Sequence, residues 1–193
     1  LRSEPGRLTW RDFDNSPHTA DFTRTLTQID STRFNYRSWK TQPPVSVTRL
    51  DSDIIHCELA TFNTRAVVDR FRAAFDTLDL ATVRGFIFDV RYNTGGNSSN
   101  GFAVISHVID ESIPAAKWKS RKYIPTHRAW GREETWFDGG QMAEIQPAEG
   151  KRFDGPVVVL IGPHTFSAAE DFVVPLDYSD RAILIGDTTA GST

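Results

Sequence analysis

The sequence predicts an α/β domain built on a mostly parallel sheet. Two observations carry that prediction. Apolar runs of strand type, GFIFDV at 85–90 and VVVLI at 157–161, lack polar alternation, as strands buried on both faces do. Segments of helical periodicity follow the strands, and strand–helix alternation from residue 53 onward is the signature of βαβ units.

The totals agree. The chain has 193 residues, enough for one sizeable core and short for two. Hydrophobic residues make up 39% and charged residues 24%, as in an ordinary globular domain. A net charge of −3 argues against a dedicated nucleic-acid surface. No apolar run approaches the roughly 20 residues of a membrane span, and LRSEPGRLTW lacks the apolar stretch of a signal peptide. The abrupt start, and an end that reads as a turn, suggest a domain cut from a longer chain. The single cysteine, Cys57, can form no intrachain disulfide and reads as a small buried thiol.

Residues 1–43 read as an irregular N-terminal segment or the end of a preceding domain. They leave room for a strand around Arg7–Phe13 and a short helix or strand near Asp21–Ile29. Residues 44–193 read as the core domain. Val45–Leu50 and Ile54–Leu59 form a hairpin through the turn Asp51-Ser52-Asp53. Ala66, Val67, Arg70, Phe71, Ala74, Phe75 and Leu78 recur at helical spacing, with Asn63 or Thr64 as N-cap. Gly85–Val90 is the next buried strand and runs into Asn93-Thr94-Gly95-Gly96. A helix is expected from about Ser99 to Ile109, with Phe102, Ile105, Val108 and Ile109 on one side. Ser112–Ile124 holds a basic, edge-like strand. Residues 125–155 form a weakly patterned, aromatic excursion or lid. Val157–Ile161 is a buried strand, Gly162 and Pro163 end it, and a helix starts at Ser167 and runs to roughly Leu176. Arg181–Ile185 is a further buried strand.

Chemistry is expected where two loops leave the carboxyl ends of these strands, since ligands gather there in α/β sheets. Paired glycines let backbone N–H groups approach a ligand. A serine at a helix start sits beside unpaired N–H groups. Ser167 is therefore a candidate nucleophile. Gly95 or Gly96 together with Ala168 is a candidate oxyanion hole. The plainer reading is a helix-capping serine and an ordinary tight turn.

Three segments together resemble the catalytic core of the C-terminal processing (tail-specific) proteases, in their tricorn-core-like and retinoid-binding-protein-like branch. GFIFDVRYNTGG at 85–96 is similar to the Asp-x-Arg-x-Asn-x-Gly-Gly signature. The run from Val157, ending in Phe166-Ser167-Ala168-Ala169-Glu170, is similar to the nucleophile segment. RAILIGDTTAGST at 181–193 is similar to the closing strand and turn. The strand IIHCELATFN at 54–63 extends the match to roughly residues 53–193.

The resemblance implies a crotonase/ClpP-like spiral of βαβ units, truncated here at its C-terminus. It implies a serine-type peptidase acting on peptide or unfolded protein through an acyl-enzyme on Ser167, with no cofactor. Family habit places such a protein outside the cytoplasm, periplasmic or secreted. Asp177 matches an acidic site of the lysine-type members. The lysine base of those members would fall at Ser192, and no lysine follows Lys151. A Ser–Lys dyad is thus not expected. The base is expected to be a histidine from an upstream segment, as in tricorn-type members, with an acidic partner further downstream, and either can lie outside this chain.

Of the five histidines, His164 is a candidate contact to substrate or a candidate base. His56 lies on a strand opposite Cys57, and His107 reads as a hydrogen-bonded structural residue. His18 and His127 carry no clear signal. Glu170 and Asp171 read as favourable charges at a helix N-terminus. No metal or phosphate motif is present. The rival readings are an inactive ligand- or peptide-binding module of the same fold and an acyl-CoA enzyme. The latter would need no serine at 167 and would need a basic nucleotide pocket.

Overall fold

The computed structural model describes residues 3–11, 17–25, 43–115, 119–133, 135–139 and 144–191. The chain divides into two compact units, Leu1–Gln42 and Pro43–Thr193.

In the first unit, β1 (Ser3–Arg11) and β2 (Pro17–Thr25) pair antiparallel with Gly6 opposite Phe22. Two nine-residue strands therefore run where the sequence reads as mostly irregular. The end of the predicted Asp21–Ile29 element lies outside the described residues.

The second unit holds the sheet. β3 (Val45–Arg49) and β4 (Ile54–Leu59) form the predicted hairpin. Its turn places Ser52 and Asp53 at positive φ, and Arg49 closes it on Asp53 at 2.8 Å. After β4 the Thr64 hydroxyl accepts from the Ala66 N–H at 3.3 Å, and α1 (Ala66–Thr77) begins. β5 (Gly85–Asp89) follows, then α2 (Ser98–Ile105), whose N-cap Asn97 accepts from the Ser99 N–H. An excursion carries β6 (Ile113–Pro114), β7 (Lys119–Lys122), α3 (Pro125–Ala129), β8 (Thr135–Asp138) and β9 (Glu144–Ile145). β6 pairs with β9, and β7 with β8. The chain returns through β10 (Val157–Ile161), α4 (Ala168–Tyr178) and β11 (Ile183–Gly186).

The sheet order is β11-β10-β5-β4-β3, and only β3 runs antiparallel to its neighbour. The α/β class with a mostly parallel sheet is as the sequence predicts. One face is heavily covered. Phe86 and Phe88 of β5 meet Phe71 and Phe75 of α1 and Phe172 of α4, with ring centroids 5.6 to 6.1 Å apart. Burial of such side chains contributes roughly 1.5–3 kcal/mol each.

The opposite face departs from the prediction. In β10 only Val157 and Val159 are buried, while Val158, Leu160 and Ile161 are half-buried. In β11 Ile183 is 66% and Ile185 53% exposed. Both strands were expected to be buried on both faces. The described helices cover only one face, and β11 is an edge strand, so alternate apolar side chains stay open.

α2 stops at Ile105, four residues earlier than its periodicity suggests. The carbonyls of Ser106 and His107 instead accept from Ala148 and Phe153 of the returning excursion. The buried face of α2 and the turn after it comprises Gly101, Val104, Ile105, Val108 and Ile109, with Phe102 only partly buried. The excursion is pinned at both ends. Arg181 donates to the carbonyls of Val108, Phe153 and Gly155. Lys151 Nζ donates to the carbonyls of Phe75, Asp76 and Leu78. A cation there suits the negative end of α1. Cys57 is fully buried, and burial pushes its thiol pKa far up.

His107 is structural, as its sequence context suggests. It is 8% exposed and packs between Phe71 and Phe75. Nε2 accepts from Arg72 at 3.2 Å and Nδ1 lies 3.4 Å from the Lys151 carbonyl, which assigns the proton to Nδ1. Burial lowers its pKa and the Arg72 charge adds to this, against the opposing pull of the Lys151 carbonyl. The folded state therefore favours the neutral ring. Its stabilising contribution is complete above the unfolded value of about 6.5 and is lost as pH falls toward the lower folded value. The urea midpoint should accordingly drop between about pH 7 and about pH 5, and His107→Gln should remove that part of the slope. An unchanged slope in the variant would contradict this role.

Candidate functional site

β5 and β10 are parallel neighbours, so the loops at their carboxyl ends lie side by side. The first of these loops turns on Asn93, which is fully buried. Its Nδ2 donates to the Leu59 carbonyl at the end of β4 at 3.0 Å. Its Oδ1 accepts from the Gly95 N–H at 2.8 Å. Its own carbonyl accepts from the Phe166 N–H at 3.1 Å. One side chain and its backbone thus hold three segments together.

The Gly95 carbonyl accepts from the Phe62 N–H at 2.9 Å, and the Asn97 N–H returns a bond to the Phe62 carbonyl. Because a trans peptide points its C=O and N–H in opposite directions, the Gly96 N–H faces away from Phe62. Among the described residues no acceptor lies on it. Gly95 sits at φ +95°, and a Cβ there would fall 2.7 Å from the Phe166 carbonyl oxygen, 2.8 Å from Ser167 Cβ and 2.9 Å from Ala168 N. Gly96, at φ +137°, lies equally tight on Phe62 and Asn63. Only glycine fits either position.

The serine loop is fixed from within by Thr165, also fully buried. Its hydroxyl donates to the Val90 carbonyl at 2.9 Å and accepts from the Gly162 N–H at 3.0 Å. Its carbonyl accepts from the Ala190 N–H. Ser167 is half-buried at φ 55°, ψ −127°, a conformation that costs roughly 1–3 kcal/mol and persists only when its surroundings enforce it. Ala168 opens α4 and is 1% exposed. Its N–H carries no acceptor among the described residues and sits at the positive end of the helix dipole. The serine thus stands beside the unpaired Ala168 N–H, with the glycine turn that carries the unpaired Gly96 N–H packed against it through Gly95, the kind of donor set that stabilising an oxyanion requires.

Glu170 is 6% exposed and accepts from three donors. These are the Ser167 N–H at 3.2 Å, the Thr189 hydroxyl at 2.7 Å and the Gly191 N–H at 2.8 Å. It ties the serine to the closing turn. Asp171 accepts from the Ser98 hydroxyl at 2.5 Å and joins the starts of α4 and α2. The sequence reads both as helix-dipole charges, which understates them. At the end of β5, Asp89 receives Arg91 in bidentate fashion at 2.9 and 2.6 Å, plus the Arg91 N–H. His56 lies 3.4 Å from the same carboxylate. Burial raises the Asp89 pKa, but these bonds outweigh it and hold the group below the usual carboxylate range.

Residues 53–193 match the family model described as Peptidase family S41. The chain belongs to peptidase family S41. It is 24% identical over 141 residues to the carboxy-terminal processing protease CtpA of Bacillus subtilis (strain 168), covering 73% of this chain and 26% of that protein. It is 29% identical over 136 residues to the chloroplastic carboxyl-terminal-processing peptidase 2 of Arabidopsis thaliana, covering 70% and 23%. The chain thus spans about a quarter of these relatives. Its fold is similar to that of the photosystem II D1 C-terminal processing protease, at TM-score 0.55 and 21% identity, covering 93% of this chain and 42% of that one. It is also similar to mature CPAF, at TM-score 0.58 and 13% identity, covering 99% and 54%.

Within this family member, Gly95 lies against Ser167 and Ala168, and Gly96 follows it in the turn. His164 is exposed and stacks on Tyr92 at 6.0 Å. Among the described residues no hydrogen bond joins a histidine to Ser167: His56 faces Asp89 and His107 is occupied on both nitrogens. The side chain of His18 and residue Ser192 lie outside the described residues. Asp177 is exposed on α4. Among the described residues, no group of three or more His, Cys, Asp or Glu residues able to hold a metal occurs, and no helix is long and apolar enough to cross a membrane.

The bracing roles of Asn93, Thr165 and Glu170 escape sequence reasoning. The signal for them is that all three fall within the motif segments. Asn93→Ala should destabilise the fold by about 2–6 kcal/mol in urea unfolding, because it strands the Leu59 carbonyl and the Gly95 N–H at about 1–3 kcal/mol each. A loss below about 0.5 kcal/mol, the range of an ordinary surface substitution, would contradict the pinning role.

Proposed function

We propose that this chain carries the nucleophile and oxyanion hole of a serine-type peptidase that cleaves peptide or unfolded protein substrates. The observation that carries the reading is the seating of Gly95 against Ser167 Cβ and Ala168 N, with the Ala168 and Gly96 N–H groups unpaired. Ser167 Oγ attacks the scissile carbonyl carbon while a base takes its proton. The Ala168 N–H and the Gly96 N–H hold the tetrahedral oxyanion. Gly95, expected as an alternative donor, has its N–H committed to Asn93 and serves by close approach instead. Collapse breaks the C–N bond, and the base returns the proton to the leaving amine. Water then hydrolyses the acyl-enzyme by the same route. Loss of one such donor typically costs about 2.7–4 kcal/mol in the barrier.

The base in this reading is a histidine rather than a lysine. Lys151 supports this, since its ammonium is engaged by the end of α1, and no lysine follows it. His164, with Tyr92 beside it, is assigned to substrate contact at the mouth of the serine loop. Residues 44–193 are assigned as the catalytic core, and the protein is assigned an extracytoplasmic place on family resemblance.

The test is hydrolysis of an unstructured peptide pool by the full-length protein beside its Ser167→Ala variant. The expected result is cleavage in the first and loss to background in the second. Cleavage retained in the variant would overturn the assignment. A folded parent without cleavage would support a binding module of the same fold.

A further inference from the structure

The β7–α3–β8 excursion gathers basic residues in a chain whose net charge is −3. It encloses a cavity of about 350 Å³. Among the described residues, Arg121, Lys122, Arg128 and Arg132 line it against one carboxylate, Glu133. Among the described residues no ion pair engages Lys122, Arg128 or Arg132. His127 also lines the cavity, and its Nδ1 is buried without a hydrogen-bond partner.

Aromatic side chains stand beside these cations. Trp130 is 65% exposed and Trp136 51%, and Tyr123 and Phe137 are also exposed. Arg132 lies 4.9 Å from the Trp130 ring, and Lys119 and Arg121 lie 5.3 and 5.5 Å from the Trp136 ring. Exposed aromatics in this density mark interaction sites. Trp, Tyr and Arg are the residues that dominate binding energy at interfaces. A guanidinium stacked on an indole is held in place while its N–H edge stays available for a carboxylate.

We propose that this excursion binds an acidic stretch of peptide, with carboxylates on Arg128, Arg132 and Lys122 and the peptide chain lying across Trp130 and Trp136. Charge complementarity selects the occupant's sign. Membership of a peptidase family favours a peptide over the other polyanion that basic and aromatic surfaces accept, a single-stranded nucleic acid. The proposal does not depend on Ser167 being the nucleophile.

The test uses the full chain carrying Ser167→Ala, so that no probe is cleaved. Fluorescence anisotropy follows a dye-labelled alternating Glu-Gly peptide, its Gln-Gly counterpart and an oligothymidylate. Saturable binding of the Glu-Gly peptide is expected, with little binding of the Gln-Gly peptide and steep weakening as salt shortens the screening length below about 10 Å. Arg128→Glu with Arg132→Glu should weaken binding about tenfold or more, the scale of one lost charge-assisted pair. Circular dichroism checks the fold of that variant, and Lys122→Glu alone gives a second, milder readout in the same direction. Equal binding of the Gln-Gly peptide, or unchanged affinity in folded variants, would overturn the proposal. So would binding of the oligothymidylate alone.

Discussion

The candidate site rests on the buried carboxamide of Asn93. It joins the end of β4 to the glycine turn, and its backbone carbonyl takes the Phe166 N–H one residue before the serine. These bonds lie away from solvent, where a hydrogen bond is strong and an unmet polar group is costly. Thr165 repeats the device from the other loop, bonding Val90 and Gly162 through one hydroxyl. Glu170 completes it by joining the serine N–H to the turn at 189–191. The strained backbone of Ser167 is enforced by these three residues together.

The fold supplies what those side chains cannot. β5 and β10 run parallel and adjacent, so the glycine turn and the serine start from the same edge of the sheet. α1, α2 and α4 pack on the face that carries Phe86 and Phe88, and this fixes the start of α4 relative to the strand ends. The bidentate Arg91–Asp89 pair braces the end of β5, where the chain leaves for Asn93. The other face, with Ile183 and Ile185 exposed, takes no part in this bracing.

Much of this was legible in the residues. VVVLI followed by Gly-Pro, and small residues after Ser167, announce strand, turn and helix, because apolar runs and helix starts are local properties. The Gly95-Gly96 pair announced a close backbone approach, and both glycines make one, Gly95 to the serine loop and Gly96 to Phe62 and Asn63. Which face of the sheet is covered was not legible: apolar side chains at 158, 160, 183 and 185 look alike in sequence whether or not a helix lies above them. Nor were Asn93 and Glu170. An asparagine in a turn and a glutamate three residues after a serine have ordinary local explanations, and their bonds reach segments 34 and 21 residues away. The strands β7 and β8 were half legible, since a basic run with every described side chain exposed gives no alternation to read.

The central claim is that Asn93, the glycine turn and the loop carrying Ser167 together make that one hydroxyl chemically distinct. A fluorophosphonate probe applied to the full-length folded protein, followed by peptide mapping in a mass spectrometer, tests it most directly. The account predicts a single adduct, on Ser167, that disappears on unfolding in urea. An adduct spread over other serines, or a folded and hydrolytically active protein that leaves Ser167 unlabelled, would contradict it.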